Sequence, residues 1–259
     1  MSTQGSFEKI SYLINLDKRP DRWNQFLESS SELAIPIRRF SAVDASSLDR
    51  KTSKLPGPVE ACWRSHQEIA KLLLESSAEH CLILEDDVLI NQNSLIQLNK
   101  VWGHHYEGID LLQIGFCVHS NRLADRSIYS NQRRLVKMID KCGMLNWRPI
   151  RKLLKHIYGY EFTRLPKLDV LAATSTFELG THAYIISRKF AERMVHFNTP
   201  TYLPADLALI ELAHTGCFAS FRLLENLVVQ SNSPSSISHV PDPLLVQNNS
   251  KLGDSDAIR

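Results

Sequence analysis

The fold is decided near the amino terminus by a short apolar run, Ile10-Ser11-Tyr12-Leu13-Ile14-Asn15-Leu16, which has the length and composition of a buried strand. Residues 20–27 follow as a helix with a proline and an acid in its first turn, and residues 37–43 supply a second strand. A strand, a helix and a strand in this order form the unit of a mostly parallel sheet flanked by helices. We therefore predict an α/β fold whose ligands gather at the carboxyl ends of the strands. That edge would hold Asn15, Asp17 and Asp44.

Further elements continue the alternation of strands and helices. Apolar runs at residues 81–84, 110–116 and 183–186 predict three more strands. A helix is predicted between the second and third strands, because His66, Ile69, Ala70 and Leu73 have the three-and-four spacing of a core-facing stripe. Ser187 is a candidate helix N-cap, and Pro204 is expected to open a later helix.

The composition is that of an ordinary globular protein, with 43% hydrophobic and 22% charged residues among 259. We expect one domain over residues 1–240 and a polar tail over residues 241–259. The apolar runs are shorter than the roughly 20 residues of a membrane-spanning helix, and the amino terminus does not resemble a secretory signal. The expected location is the cytoplasm. A net charge of +2 is too small to indicate nucleic-acid binding.

The five cysteines are odd in number and form no Cys-x-x-Cys pair. We interpret them as reduced thiols and predict neither a disulfide framework nor a structural zinc site.

Charge is concentrated in one stretch, called here the basic segment, at about residues 120–168. It holds twelve Lys and Arg residues against Asp125, Asp140 and Glu161. It shows no clear period, and we interpret it as an insertion or lid. Its charge predicts contact with an anionic acceptor or with the anionic inner face of a membrane, although an ordinary solvated helical face would have the same composition.

Three consecutive acids, Glu85-Asp86-Asp87, end the predicted strand at residues 81–84. Carboxylates at the end of an apolar strand must face solvent or a cation. Glu85 and Asp87 are spaced to bind Mn²⁺ or Mg²⁺ between them, with Asp86 supporting the site or contacting a ribose. A solvated acidic turn is the alternative interpretation of the tripeptide alone.

The ordered set of motifs resembles glycosyltransferase family 25, which includes bacterial lipooligosaccharide galactosyltransferases and collagen hydroxylysine galactosyltransferases. The opening strand and turn at residues 12–22, the Ala42-Val43-Asp44-Ala45 block and the Leu82–Val88 run are similar to the family's blocks. Residues 62–66 resemble its Gly-Cys-x-x-Ser-His block, with Ala61 in place of the glycine. The remaining matching blocks are residues 110–115, 180–187, 204–206 and 230–237.

The resemblance implies a GT-A-type fold, a UDP-sugar donor that is usually UDP-galactose, and inversion at the anomeric carbon. The acceptor would be a hydroxyl of a glycan or glycolipid. Donor contacts are then expected from Asn15, Asp17, Arg19, Arg22, Asp44, Ser65, His66, Asp86 and Gly180. For Arg19 and Arg22 a solvated helical turn is the alternative, for His66 and Ser65 a structural role, and for Gly180 a simple strand-entry turn.

Direct displacement needs a base that accepts the proton of the acceptor hydroxyl. Asp206, in the family's Pro-x-Asp position, is the first candidate, and Glu178 is the second. Asp206 is alternatively an acid that stabilises a first helical turn. Two other classes stay open: a nucleotidyltransferase, although its glycine-rich phosphate loop is missing, and a non-catalytic binding module, for which Ala61 is the hint.

Overall fold

The computed structural model gives a backbone and side-chain description for most of the chain. It covers residues 8–49, 53, 55–104, 106–117, 123–165, 168, 170–174, 179–215 and 217–231, with the backbone alone over 123–129. Glu178, the second candidate base, and the predicted tail at 241–259 lie outside these residues.

Strands and helices alternate through the first half of the chain, and the second half adds further strands. The strands are β1 (Lys9–Asn15), β2 (Arg38–Ser41), β3 (His80–Glu85), β4 (Val88–Leu89), β5 (Leu111–Gly115), β6 (Phe162–Leu165), β7 (Val170–Thr174), β8 (Ala183–Ser187), β9 (Ser220–Leu223) and β10 (Val229–Gln230). The α-helices are α1 (Pro20–Ser29), α2 (Gly57–Glu75), α3 (Gln92–Gly103), α4 (Leu123–Lys141), α5 (Arg148–Tyr158), α6 (Arg188–Met194) and α7 (Ala205–Thr215).

Eight strands form one sheet in the order β2-β1-β3-β8-β5-β9-β7-β6, and β4 pairs with β10 in a separate ribbon. β1 runs parallel to both β2 and β3, and β5 runs parallel to β9. β8 is antiparallel to β3 and β5, and β7 is antiparallel to β6 and β9. Six of the eight strands therefore point in one direction, which confirms the predicted α/β class with a mostly parallel sheet.

The sheet is covered on both faces because its inner strands are apolar on both sides. Leu82 and Leu84 of β3 pack in one core, to which α1 and α3 contribute residues such as Phe26 and Leu98. Cys81 and Ile83 point to the opposite core, which α2, α6 and α7 cover with residues such as Trp63, Phe190 and Leu209. Continuous apolar runs of this kind are typical of strands buried on both faces.

The elements expected from the sequence are present. The stripe of His66, Ile69, Ala70 and Leu73 on α2 is fully buried. Ser187 caps α6 by accepting a hydrogen bond from the amide of Phe190, as predicted. Because these strands and helices form, the loops that follow the parallel strands β1, β2 and β3 lie at one edge of the sheet.

The basic segment is more regular than its sequence indicated. It folds into α4, α5 and β6, and β6 joins the edge of the main sheet. Val136, Leu154 and Phe162 form a third core with Ala173 and Leu224. Apolar residues do recur at helical spacing, as Val136 and Ile139 on α4 and Ile150 and Leu154 on α5, but this period was overlooked among the many charged residues. Whether the segment acts as a lid stays a prediction. Within the part of the chain that the structure describes, no helix is both long and apolar enough to span a bilayer.

Candidate active site

The acidic run lies where the sheet topology predicts a ligand site. β1 and β3 are parallel neighbours, with Ile14 opposite Glu85, so both strands end at the same edge. Asn15 ends β1 and Glu85 ends β3. The carboxyl ends of neighbouring parallel strands thus bring Asn15, Glu85, Asp86 and Asp87 together.

Asp86 is a supporting residue, because both of its carboxylate oxygens are engaged. Arg22 Nη1 donates to Oδ1 at 2.8 Å, and Asn15 Nδ2 donates to Oδ2 at 2.7 Å. The Arg22 and Asp86 side chains are only 7% and 10% exposed. Arg22 is therefore neither a solvated first-turn arginine nor an uncommitted phosphate ligand; it neutralises the middle acid of the run.

Glu85 is held from two sides, by α2 and by the entry to β8. Thr181 Oγ1 donates a hydrogen bond to Glu85 Oε1, and His66 Nε2 lies 3.3 Å from the same oxygen. Burial opposes the charge on Glu85, but the contacts with His66 and Thr181 outweigh it and lower the pKa of the carboxyl. The imidazole is oriented through its other nitrogen, because Tyr184 Oη lies 2.9 Å from Nδ1.

Of the three acids, Asp87 has the fewest contacts that stabilise its negative charge. Gln230 Nε2 donates to Oδ2 at 2.8 Å, but the buried Oδ1 has no hydrogen-bond partner among the residues described. Burial and the nearby charge of Glu85 raise the pKa of Asp87 to about 6. A buried carboxylate oxygen without a donor fits a cation ligand, so Asp87 and Glu85 suit the divalent metal that the sequence predicted.

A cleft opens beside these acids, between the strand ends and α2. Arg22, Glu85, Asp86 and Asp87 form one wall. Ser65 and His66 line it from the helix, and Ser65 Oγ accepts a hydrogen bond from the amide of Val43 at 2.9 Å. The other lining residues are Ile14, Leu16, Lys18, Ala42, Val43, Ala45, Pro58, Ala61 and Cys62.

Asp206 belongs to the same electrostatic neighbourhood. It lies in the first turn of α7, where its Oδ1 accepts a hydrogen bond from the amide of Leu207. Burial and the negative charges of Glu85, Asp206 and Asp87 together raise the pKa of Cys62 well above its usual range, and they raise that of Cys117 to about 11. Asp206 thus acts on the same two thiols as Glu85 and Asp87, and its role as the base stays a prediction.

Three predicted donor residues lie on the loops after β1 and β2 and make exposed contacts. Asp17 pairs with Arg39, and Arg19 pairs with Asp21. Asp44 pairs with Lys18 and caps a 3₁₀ turn at Ala45–Ser47. Hydrogen bonds from Ser46, together with Lys18, lower the pKa of Asp44 to about 2. These acids act within the loops, and their donor contact stays a prediction.

Gly180 has a conformational explanation in the structure. Its φ is +114°, and a Cβ atom there would lie 2.9 Å from His182 Nδ1. Its carbonyl accepts a hydrogen bond from Gln113 Nε2 at 3.0 Å. The strand-entry role is therefore sufficient to explain the glycine.

Sequence reasoning missed four residues around the acids: Cys62, Thr181, Tyr184 and Gln230. Cys62 precedes His66 by four positions on α2, which was the available signal, because residues i and i+4 share one helix face. Thr181 and Gln230 reach Glu85 and Asp87 across 96 and 143 positions of sequence, so no local pattern marked them.

The fold and cleft define an α/β protein with carboxylates converging at the carboxyl edge of its sheet. Residues 8–209 match the family described as Glycosyltransferase family 25 (LPS biosynthesis protein), and the chain belongs to that family. The resemblance read from the motifs is therefore confirmed at the level of the family.

Two individual similarities are more limited. An Aedes aegypti protein named Glycosyltransferase 25 family member is 30% identical over 95 residues, which cover 30% of this chain and 16% of that protein. The chain thus spans a small part of that relative's length. The crystal structure of A197 from STIV aligns over 88% of this chain and 96% of that chain, with 12% identity and a TM-score of 0.38.

Proposed function

We propose that the protein is an inverting, metal-dependent hexosyltransferase. It moves a hexose, with galactose the expected sugar, from a UDP-sugar to a hydroxyl of a glycan or lipooligosaccharide-type acceptor. The observation that carries the proposal is Asp87 Oδ1, a buried carboxylate oxygen with no donor in the part of the chain that the structure describes. It lies beside Glu85 in a cleft of the family-matched region.

Glu85 and Asp87 would hold Mn²⁺ or Mg²⁺. When bound, the cation supplies positive charge that stabilises the departing nucleotide diphosphate. Asp86 does not compete for this role, because Arg22 and Asn15 occupy its oxygens. Lys18, at the cleft, adds an exposed cation suited to phosphate oxygens.

Asp206 is the proposed base. It would take the proton of the acceptor hydroxyl as that oxygen bonds to the anomeric carbon and the nucleotide leaves. Its support is its family-matched Pro-x-Asp position in the first turn of α7, together with its electrostatic effect on the two thiols, Cys62 and Cys117, on which Glu85 and Asp87 also act. An acid in the first turn of a helix also stabilises that turn, and the two roles are compatible.

The acceptor side is proposed to include a peripheral contact with an anionic membrane surface, at the cytoplasmic face. On α5, Leu153 and Ile157 are 53% and 55% exposed, and the adjoining Trp147 is 65% exposed. The solvent-facing residues Arg151 and Lys152 lie on the same helix. Exposed apolar side chains beside cations are typical of helices that lie at a membrane interface.

The test is a panel of nucleotide sugars assayed for UDP release, with and without acceptor, in Mn²⁺ and in chelator. We expect release from one UDP-hexose with Mn²⁺ and loss of that release in chelator. A binding module would release no nucleotide under any condition. A nucleotidyltransferase would release pyrophosphate from a nucleoside triphosphate and a sugar phosphate, so that assay separates the remaining alternative.

A further inference from the structure

Three potential metal-binding side chains converge in the cleft. Only one of them, Glu85, also belongs to the carboxylate pair proposed to bind Mn²⁺ or Mg²⁺. The thiol of Cys62, the imidazole of His66 and the carboxylate of Glu85 each offer one ligand atom, and these atoms lie within 4.8 Å of one another. All three residues line the cleft.

The local structure explains why the three groups meet. Cys62 and His66 are four residues apart on α2, so their side chains project from one face of the helix. That face lies against the end of β3, where Glu85 points toward the helix from the strand. Rigid elements rather than loops therefore set the positions of all three side chains.

His66 provides an observation independent of the cluster itself. The residue is fully buried, and its Nε2 lies 3.3 Å from Glu85 Oε1, in a contact that lacks good hydrogen-bond geometry. Its Nδ1 is occupied by the hydroxyl of Tyr184 at 2.9 Å, which aims Nε2 toward Glu85. Metal-binding histidines are commonly oriented by such a contact on the second nitrogen.

We infer that Cys62, His66 and Glu85 form a second metal site, selective for Zn²⁺ or another thiophilic cation, which shares Glu85 with the oxygen-rich pair. Sulfur, nitrogen and oxygen from three residues, with a coordination position left open, are the ligand set of exchangeable zinc sites. Tetrahedral zinc at its usual bond lengths separates nitrogen and oxygen ligands by about 3.3 Å. The distance from His66 Nε2 to Glu85 Oε1 is 3.3 Å.

The charges around the cluster favour a cation. Glu85 belongs to the cluster, and Asp87 lines the same cleft. A bound divalent ion supplies the missing positive charge, and the thiol proton is released to solvent as the sulfur–metal bond forms. The sequence-based expectation that no cysteine binds zinc considered four-ligand structural sites, whereas this site has three protein ligands.

Cobalt is the probe, because it replaces zinc and gives a near-ultraviolet charge-transfer band when bound to thiolate. The metal-stripped full-length chain is titrated with Co²⁺, and zinc affinity is measured by competition with a chromophoric chelator. We expect the band in the unmodified protein and its loss in Cys62→Ser, with zinc affinity falling at least tenfold. Tyr184→Phe should keep the band but weaken zinc binding about 10- to 100-fold, because the imidazole loses its orienting contact.

Two matched variants make the outcome decisive. Cys117→Ser should keep the band, although the same three carboxylates act on that thiol. Asp87→Asn should also keep it while abolishing any response to Mn²⁺, which separates this site from the proposed transferase metal. Absence of the band in the unmodified protein, or equal losses in Cys62→Ser and Cys117→Ser, would overturn the assignment.

Discussion

The cleft and the basic segment use charge in opposite ways. In the cleft, Arg22, Asp86 and Asp87 are nearly buried, and Arg22 Nη1 lies 2.8 Å from Asp86 Oδ1. On α5, Arg151 and Lys152 face solvent. Buried charges interact strongly and are insensitive to salt, whereas exposed charges are screened beyond about 8 Å at physiological ionic strength. Charge in the cleft therefore fixes the geometry of neighbouring side chains, whereas charge on α5 faces solvent, as the proposed contact with an anionic surface requires.

The largest effect on activity is expected for the cleft variant Asp87→Asn. We expect metal-dependent transfer to fall about 10³- to 10⁴-fold, because a metal contributes several kcal/mol of transition-state stabilisation. UDP release in Mn²⁺ measures the effect. Full activity of this variant, or of the unmodified protein in chelator, would sink the metal assignment.

The same substitution has a stability readout in chelator. Burial raises the pKa of Asp87 to about 6 in the folded protein, so the folded state binds more protons than the unfolded state between about pH 4 and pH 6. Its charge therefore costs stability at pH 7.5. The metal-free Asp87→Asn variant should melt at a higher temperature than the unmodified protein at that pH, which distinguishes lost chemistry from lost folding.

Asp206→Asn tests the base with a change that keeps size and polarity. We expect transfer to slow about 10²- to 10⁴-fold while donor and Mn²⁺ binding persist. Single-turnover transfer and calorimetric donor binding measure the two quantities. A lower melting temperature with normal turnover would leave only the helix-stabilising role, and a normal rate here with a defect in Glu178→Gln would move the base to Glu178. Retention of anomeric configuration would reject single displacement for both.

Arg22→Met sharpens the contrast between buried and exposed pairs. Asp86 would keep its buried charge and lose its cation, and breaking such a pair typically costs about 3–5 kcal/mol of unfolding free energy. Urea denaturation measures the loss. Arg19→Met is the matched control, because the Arg19–Asp21 pair is 33% and 61% exposed, so solvent screens it and its loss should cost much less. Equal costs for the two variants would contradict the distinction.

The smallest effect is expected on α5. Arg151→Gln with Lys152→Gln should weaken binding to phosphatidylglycerol vesicles about 30-fold, since each cation near an anionic surface contributes about 1 kcal/mol. Vesicle sedimentation at two salt concentrations measures this, with Arg193→Gln and Lys71→Gln as the control. Binding that ignores both charge and salt would refute the membrane contact, and loss of soluble glycan binding instead would assign the cations to the acceptor.

The elements that the sequence predicted are those whose signals are local. β1 and β3 have short, mostly apolar centres, and Ser187 caps α6 within three residues. The helix α3 was missed although Asn91 caps it, because only Leu95, Leu98 and Val101 mark its buried face. β9 was missed because Arg222 interrupts it; that arginine is fully buried against the ring of Phe116, a contact no local pattern records.

The residues of the candidate site also fall into two groups, those with a local sequence signal and those without one. Glu85 and Asp87 were found because acids ending an apolar strand are visible in sequence. Their partners were not, because Thr181 and Gln230 come from distant strands and loops. The burial of Arg22 was not foreseen, because it depends on where Asp86 lies after folding, and the contact of Arg22 with the donor stays a prediction.

The antiparallel strand β8 has a consequence for how the chain acquires its site. β3 and β5 each pair with β8 along their length. During synthesis the acidic run emerges about a hundred residues before Thr181 and the strand that joins β3 to β5. Contacts of such long sequence separation form slowly, so we expect the cleft to be among the last regions to gain hydrogen-exchange protection during folding. A nascent chain that ends before Ala183 contains β3 and β5 but lacks β8, the strand that pairs with both. We therefore expect the three acids after β3 to reach their final positions only after β8 has been translated.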